Sequence, residues 1–212
     1  MGSAGGLFIT LEGVEGAGKT TALEAISRHI SNLGMTPLVT REPGGTGIGE
    51  SIRGMLLEHA DDSMCADAEA LLMFAARAEH VHKVIRPALA RGECVLCDRF
   101  TDATYAYQGA ARGLGYDRIA ALEQWVQGDL RPDLTLVLDL PVSVGRWRAG
   151  ERGDPDRFEQ EQDTFFERVR QSYLERAAVD PERMKIVDAS ADPDTVAREL
   201  SSILDHWLVA GN

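Results

Sequence analysis

Lysine is scarce in this chain. Among 212 residues it occurs only at positions 19, 83 and 185, beside 19 arginines. Basic residues as a whole are outnumbered, 22 against 34 acids, for a formal net charge of −12. Such a balance lacks the basic footprint of a general nucleic-acid binder and disfavours adhesion to anionic membrane surfaces. Asparagine occurs only at 32 and 212, neither of them before a lysine. The Asn-Lys-x-Asp guanine reader of a GTPase therefore has no place to form. Apolar runs are short, none approaching the roughly 18 residues of a membrane helix. Residues 1–6 show neither the basic start nor the apolar run of a signal peptide. Cysteine is limited to three positions, an odd number in a chain long enough to fold without staples. The expectation is a reducing, cytoplasmic setting. Cys94 and Cys97 form a C-x-x-C inside an apolar run, with no second ligand pair, so they read as packing thiols rather than a zinc site.

What is present can build a core: 44% of residues are hydrophobic and 26% charged. Short apolar runs at 7–11, 36–40, 94–97, 134–140 and 185–187 read as strands. Between and after them lie helical patterns at 20–33, 51–59, 66–91, 101–107, 117–127, 165–178 and 193–208, with Pro87 expected to bend the third. Residues 41–49 read as a Gly-rich loop, and 146–158 as an Arg-rich lid segment. Strands alternating with helices predict an α/β fold, a central five-stranded parallel sheet flanked by helices in three layers. No linker or repeat divides it, so residues 1–212 are expected to form one domain.

Gly13-Val14-Glu15-Gly16-Ala17-Gly18-Lys19-Thr20 matches the phosphate-loop pattern in full and makes the fold a P-loop NTPase type. Its backbone N–H groups, ending in Thr20 and Thr21 at a helix start, would cradle the phosphates of ATP. Lys19 would reach the terminal phosphates, and the Thr20 hydroxyl would hold Mg²⁺. A plain Gly-rich turn with an exposed lysine is the alternative. The preceding strand and following amphipathic helix favour the nucleotide site.

Such a loop serves motors, regulatory ATPases and small kinases alike. A motor would need a coupling domain, for which few residues remain. A kinase needs a second phosphate site, so that donor and acceptor meet in line. Arginines after three consecutive strands could form one: Arg41 with Arg53 after the second, Arg99 beside Asp98 after the third, and Arg146, Arg148, Arg152 and Arg157 after the fourth. Any one of them alone would read as a solvated charge.

Glu12-Gly13-x-Glu15-Gly16-Ala17-Gly18-Lys19-Thr20-Thr21, Thr40 to Thr46 (TREPGGT), Asp98-Arg99-Phe100 and Ala106-Tyr107-Gln108-Gly109 closely resemble bacterial thymidylate kinases. So do Asp129 to Asp133 (DLRPD) and Asp156 to Gln160 (DRFEQ), and the resemblance runs over about residues 7–208. It implies transfer of the γ-phosphoryl of Mg·ATP to dTMP, and a homodimer. By the same resemblance Glu15 would bind the acceptor's 3′-hydroxyl, a role that gives this carboxylate a donor to face among phosphates. Arg53 and Arg99, with Arg41 and Pro43 in the same motif, would hold the acceptor phosphate, and Asp98 would help order Mg²⁺. Arg77 would donate to a thymine carbonyl, with Thr104 and Gln108 at the base edge. Tyr107 would disfavour a ribose 2′-hydroxyl. A kinase for another nucleoside monophosphate, or a non-catalytic nucleotide-binding module, remains the alternative.

Two departures bear on the site. Where the family commonly stacks an aromatic on thymine, four residues before Arg77, this chain has Met73, with Phe74 one residue later. Either Phe74 stacks after a small rotation, the preferred reading, or Met73 makes a softer contact and Phe74 is core. Phe100 stands where Tyr or His is commoner, at the edge of the site. One family subtype also carries an arginine in the phosphate loop directly after the acid. Here that residue is Gly16, so the lid must supply the charge, through Arg152 first and Arg148 second.

Overall fold

The computed structural model describes residues 6–57, 64–150 and 156–209. Five parallel strands form one sheet in the order β2-β3-β1-β4-β5: β1 (Leu7–Gly13), β2 (Pro37–Arg41), β3 (Cys94–Asp98), β4 (Leu134–Asp139) and β5 (Met184–Asp188). The predicted α/β architecture is present, with strand ends shifted by one or two residues.

Strand alternation explains the layering. On β1, Ile9 and Leu11 enter a core formed with α1 (Lys19–Asn32) and α9 (Pro193–Val209), while Phe8 enters a second core on the opposite face, the side on which α8 (Asp163–Val179) reaches Glu12 through Tyr173. On β3, Cys94 and Leu96 follow the first set and Val95 and Cys97 the second. Side chains three apart on a strand face opposite ways, so Cys94 and Cys97 are separated by the sheet. Both are buried and free, and burial pushes the Cys94 thiol up to about 11. The packing reading of this C-x-x-C holds. Where β1 and β4 meet, Thr10 and Thr135 satisfy each other through a 2.8 Å hydroxyl contact.

Helix starts and breaks differ from the sequence reading. α2 spans Gly47–Leu57, so it begins inside the expected loop. Thr46 causes this: its Oγ1 accepts the Gly49 N–H at 3.0 Å, a side-chain cap, and its carbonyl accepts the Glu50 N–H. The long helix expected at 66–91 is interrupted. α3 (Ala66–His80) widens into a π-turn at Val81–Ile85 before α4 (Arg86–Ala90). Pro87 cannot donate a hydrogen bond and crowds the preceding turn, and the wide turn accommodates both effects. After β3, α5 (Thr101–Thr104) passes into a second π-turn at Tyr105–Ala111. α6 (Tyr116–Gln127) and α7 (Val142–Gly150) complete the set.

The consequence for function lies at the carboxyl ends of β1, β2 and β3. The chain leaves β1 toward one side of the sheet and leaves β3 toward the other. Open α/β sheets bind ligands outside strand ends at such a reversal.

Candidate active site

The phosphate loop connects β1 to α1, and its shape depends on glycine. Gly16 and Gly18 take φ of 72° and 84°, values costly for residues with a Cβ. A Cβ on Gly16 would also stand 1.9 Å from the carbonyl oxygen of Gly145 in α7, and one on Gly145 would stand 2.5 Å from that of Glu15. Loop and α7 thus meet backbone to backbone. Lys19 folds back, donating to the carbonyls of Gly13 and Val14 at 3.3 and 3.2 Å. Burial, aided by the nearby Arg99 charge, lowers its pKa.

A cleft opens from this loop across the strand ends, lined by residues 15–20, Arg41, Pro43, Arg53, Asp98 and Arg99. Arg99 is the organising side chain. It donates from Nη2 to Glu15 Oε1 at 2.6 Å and from Nη1 to the Gly13 carbonyl at 2.9 Å. Burial disfavours its charge, yet Glu15 and its other neighbours hold its pKa well above the usual value. Its backbone is strained, with φ of 65°, the left-handed region that side chains rarely occupy. The surroundings hold it there: its N–H donates to the Leu11 carbonyl at 2.9 Å, and the next N–H, of Phe100, donates to buried Glu12 at 2.7 Å. Tyr107 donates to the same Glu15 oxygen at 3.2 Å, and its ring lies under the Arg99 guanidinium.

Arg41 pairs with Glu50 at 2.7 Å, and Arg53 donates to the Pro43 carbonyl at 3.0 Å. Burial and then the Arg41 charge lower the Arg53 pKa. Clustered guanidiniums are an unfavourable arrangement that a bound dianion would relieve. Asp98 carries a buried Oδ1 with no hydrogen-bond partner among the described residues. An unpaired carboxylate oxygen on a residue that lines this cleft suits a hard cation or its water. No group of three or more potential metal ligands occurs among the described residues, as expected where substrate phosphates and waters complete the shell.

The far end of the cleft is buried. Arg77 on α3, 2% exposed, donates from Nε to Glu42 Oε2 at 2.7 Å and from Nη2 to Thr104 Oγ1 at 2.9 Å. Its third nitrogen, Nη1, is buried without a partner among the described residues. His80 braces Glu42 from behind, its Nδ1 2.9 Å from Glu42 Oε1 and its Nε2 2.7 Å from Thr40 Oγ1. Gln108 donates its amide to buried Glu69 at 2.7 Å. Met73 and Phe158 supply apolar wall.

The expected sites mostly converge here. Glu15, Gly16, Ala17, Gly18, Lys19, Thr20, Arg41, Pro43, Arg53, Arg77, Asp98, Arg99, Thr104, Tyr107 and Gln108 all line the one cleft. Gly13, which opens the loop, and Thr21, just after it, do not line the cleft. Phe74 does not line it, and the preference for Phe74 over Met73 is corrected. Phe74 is 2% exposed among Ala70, Tyr105 and Ile119, with the Arg77 guanidinium 4.7 Å over its ring, while Met73 reaches the wall. Arg148 faces away, donating to the carbonyls of Ala189 and Ser190 at 2.7 and 3.2 Å. Arg146 pairs with Asp163 at 3.0 Å, and Arg157 donates to Glu69 at 2.7 Å. Arg152 lies outside the described residues.

Glu42, Glu69 and His80 were missed. A signal existed for two of them: Glu69, Met73, Arg77 and His80 follow one another at spacings of four, four and three, one helix face carrying polar groups inward.

A family profile described as Thymidylate kinase matches residues 11–200. The chain is 59% identical over 199 residues to the thymidylate kinase of Pseudomonas putida strain F1, covering 94% of this chain and 95% of that protein. It is 59% identical over 203 residues to that of Pseudomonas syringae pv. tomato strain DC3000, covering 96% and 97%. With the thymidylate kinase of Ectopseudomonas mendocina strain ymp it shares 57% over 205 residues, covering 97% and 98%. The chain belongs to the thymidylate kinase family. Family membership and the parallel sheet agree on the P-loop kinase architecture. No helix among the described residues is long and apolar enough to cross a membrane.

Proposed function

We propose that the chain phosphorylates dTMP to dTDP with ATP as phosphoryl donor, for dTTP synthesis. The observation that carries this reading is a phosphate loop joined, in one cleft, to a buried arginine with a spare donor. Arg77 Nη1 has no partner among the described residues, and leaving such a group unpaired costs about 1–3 kcal/mol. A thymine carbonyl would satisfy it. Thr104 and Gln108 read the rest of the base edge, and Met73 covers its face.

At the sugar, Glu15 accepts the 3′-hydroxyl. The Tyr107 ring, fixed under Arg99, fills the space a ribose 2′-hydroxyl would need. Arg99, Arg53 and Arg41 hold the acceptor phosphate, while Lys19 and the loop N–H groups hold those of ATP. An acceptor oxygen attacks the γ-phosphorus, the bond to the β–γ bridging oxygen breaks, and ADP leaves. No general base is required, because a phosphate monoester with a second pKa of about 6 is already ionised at neutral pH. Catalysis is positioning and charge neutralisation. Thr20 and Asp98 would hold Mg²⁺, whose contribution is neutralisation of charge on the transferring group.

Arg152 supplies the lid's transition-state charge in this reading, because the described lid arginines, 146, 148 and 157, are engaged elsewhere. Residues 1–212 act as one kinase domain with a lid near 146–158. Two copies pair as a cytoplasmic homodimer, a state consistent with exposed Ile48, Met55 and Leu71 on α2 and α3. A coupled ADP-release assay with dTMP, dUMP, dGMP, AMP and CMP tests the assignment. dTMP should be strongly preferred, and equal rates across acceptors would overturn it.

A further inference from the structure

Glu69 on α3 is fully buried. Three donors converge on it. Oε1 accepts from Gln108 Nε2 at 2.7 Å and from Arg112 Nε at 3.2 Å, and Oε2 accepts from Arg157 Nη2 at 2.7 Å. Arg112 also pairs with Glu161, and Arg157 donates from Nε to the Leu56 carbonyl at 2.8 Å and lies over the cleft-lining Phe158 ring. With its two guanidiniums opposite, Glu69 is a fixed carboxylate.

A carboxylate can only accept hydrogen bonds, so it dictates which end of a neighbouring amide faces it. Gln108 must turn its NH₂ toward Glu69. Its carbonyl Oε1 is then the end left to meet a ligand in the cleft that Gln108 lines. Without that constraint an amide can rotate and offer either end, because its two ends differ little in shape.

We propose that Glu69 is a specificity-determining positioning residue: it locks the Gln108 amide with its oxygen outward, so that the base site accepts a pyrimidine carrying an N3–H and opposes one whose N3 is a bare acceptor. This rests on the dTMP reading above, in which Gln108 meets the base edge. Thymine has a proton on N3 and a carbonyl at C4. Cytosine has a lone pair on N3 and an amine at C4. The locked Gln108 oxygen opposes the cytosine N3, and the spare Arg77 donor opposes its amine. Two independent features therefore separate the bases, and Glu69 controls the first.

The test is the ratio of kcat/KM for dTMP to that for dCMP in the full-length protein. Glu69→Gln keeps the shape but can present an NH₂ or an oxygen to Gln108, so both amide orientations become available. The ratio should fall by about tenfold, the order expected for relieving one buried mispaired polar contact, with Arg77 preserving the remainder. Should this variant fail to fold because Arg112 and Arg157 lose their counter-charge, Glu69→Gln/Arg112→Met removes a cation together with the carboxylate and carries the same expectation. A variant that slows both acceptors in proportion, leaving the ratio at the wild-type value, reduces Glu69 to a structural strut and overturns the proposal, as does no change in either acceptor. Wild-type protein that fails to phosphorylate dTMP overturns the underlying reading first, in an arm that contains no Glu69 variant.

Discussion

The two ends of the cleft, a phosphate end and a base end in the proposed reading, are built differently. At the phosphate end, backbone amides, Lys19, Arg41, Arg53 and Arg99 sit partly open to solvent, and the charge of Arg53 is held at a cost. At the base end, Glu42, Arg77, Thr104, His80 and Gln108 are buried and interlocked before any ligand arrives. Phosphate recognition needs charge and tolerates approximate geometry, because Coulomb forces fall off slowly. Base recognition needs donors and acceptors fixed in orientation, which only a dry, packed network provides. The contrast implies that damage at the phosphate end should appear as lost activity, and damage at the base end as lost stability too.

The sharpest test is Lys19→Ala. Turnover should fall by about a thousandfold, as for loss of a group aimed at transition-state charge, while the thermal midpoint stays within a few degrees or rises. A large loss of stability would break the contrast. Arg77→Met probes the other end. It strands buried Glu42 opposite His80 alone, and denaturant melts should show a loss of about 3 kcal/mol, together with a raised KM for dTMP. Arg152→Ala should lower kcat by about a hundredfold with little change in dTMP affinity, because the charge matters mainly in the transition state. Unchanged turnover in a folded variant would remove Arg152 from the mechanism.

The smallest effect concerns Glu12, a buried carboxylate beneath the phosphate end. Burial, reinforced by the nearby Asp102 charge, raises its pKa from 4.5 to about 7. The folded protein therefore binds its proton more tightly than the unfolded chain does. That stabilisation is complete below about pH 4.5 and is lost as pH rises to and through about 7. Glu12→Gln keeps the hydrogen-bonding shape and has nothing to titrate. Its stability relative to wild type should climb between pH 5 and 7 by at most about 1.4 kcal/mol per pH unit. Parallel pH–stability curves would mean that Glu12 does not titrate in this range.

Legibility in the sequence divides along the same line. The phosphate loop could be read directly because its residues are contiguous and each spacing has a local cause: glycines for backbone shape, Lys19 and Thr20 at the helix start. The strands could be read from short apolar runs. The π-turns at Val81–Ile85 and Tyr105–Ala111 could not, since widening a helix by one residue leaves no residue-type signature beyond a nearby Pro87. Nor could Glu42 be distinguished from a solvated acid, and Glu69 only through the helix face it shares with Met73, Arg77 and His80. Their partners lie 35 to 88 positions away, and nothing local to Glu42 announces burial. Phe74 and Met73 show the limit of helical spacing: both fall near the Arg77 face, and only packing against Tyr105 and Ile119 decides which turns inward.

The contact between Gly16 and Gly145 constrains how this kinase can diverge. In the proposed reading the catalytic charge sits in the lid, and it looks as if a single codon change at Gly16 could place one in the loop instead. Here it could not. An arginine at 16 would have to enter a left-handed backbone and displace the α7 main chain at the same time. Moving the charge from lid to loop therefore requires α7 to be re-seated first. An arginine introduced at 16 alone would leave the phosphate loop distorted, so in that reading the place of the charge is tied to how α7 is seated.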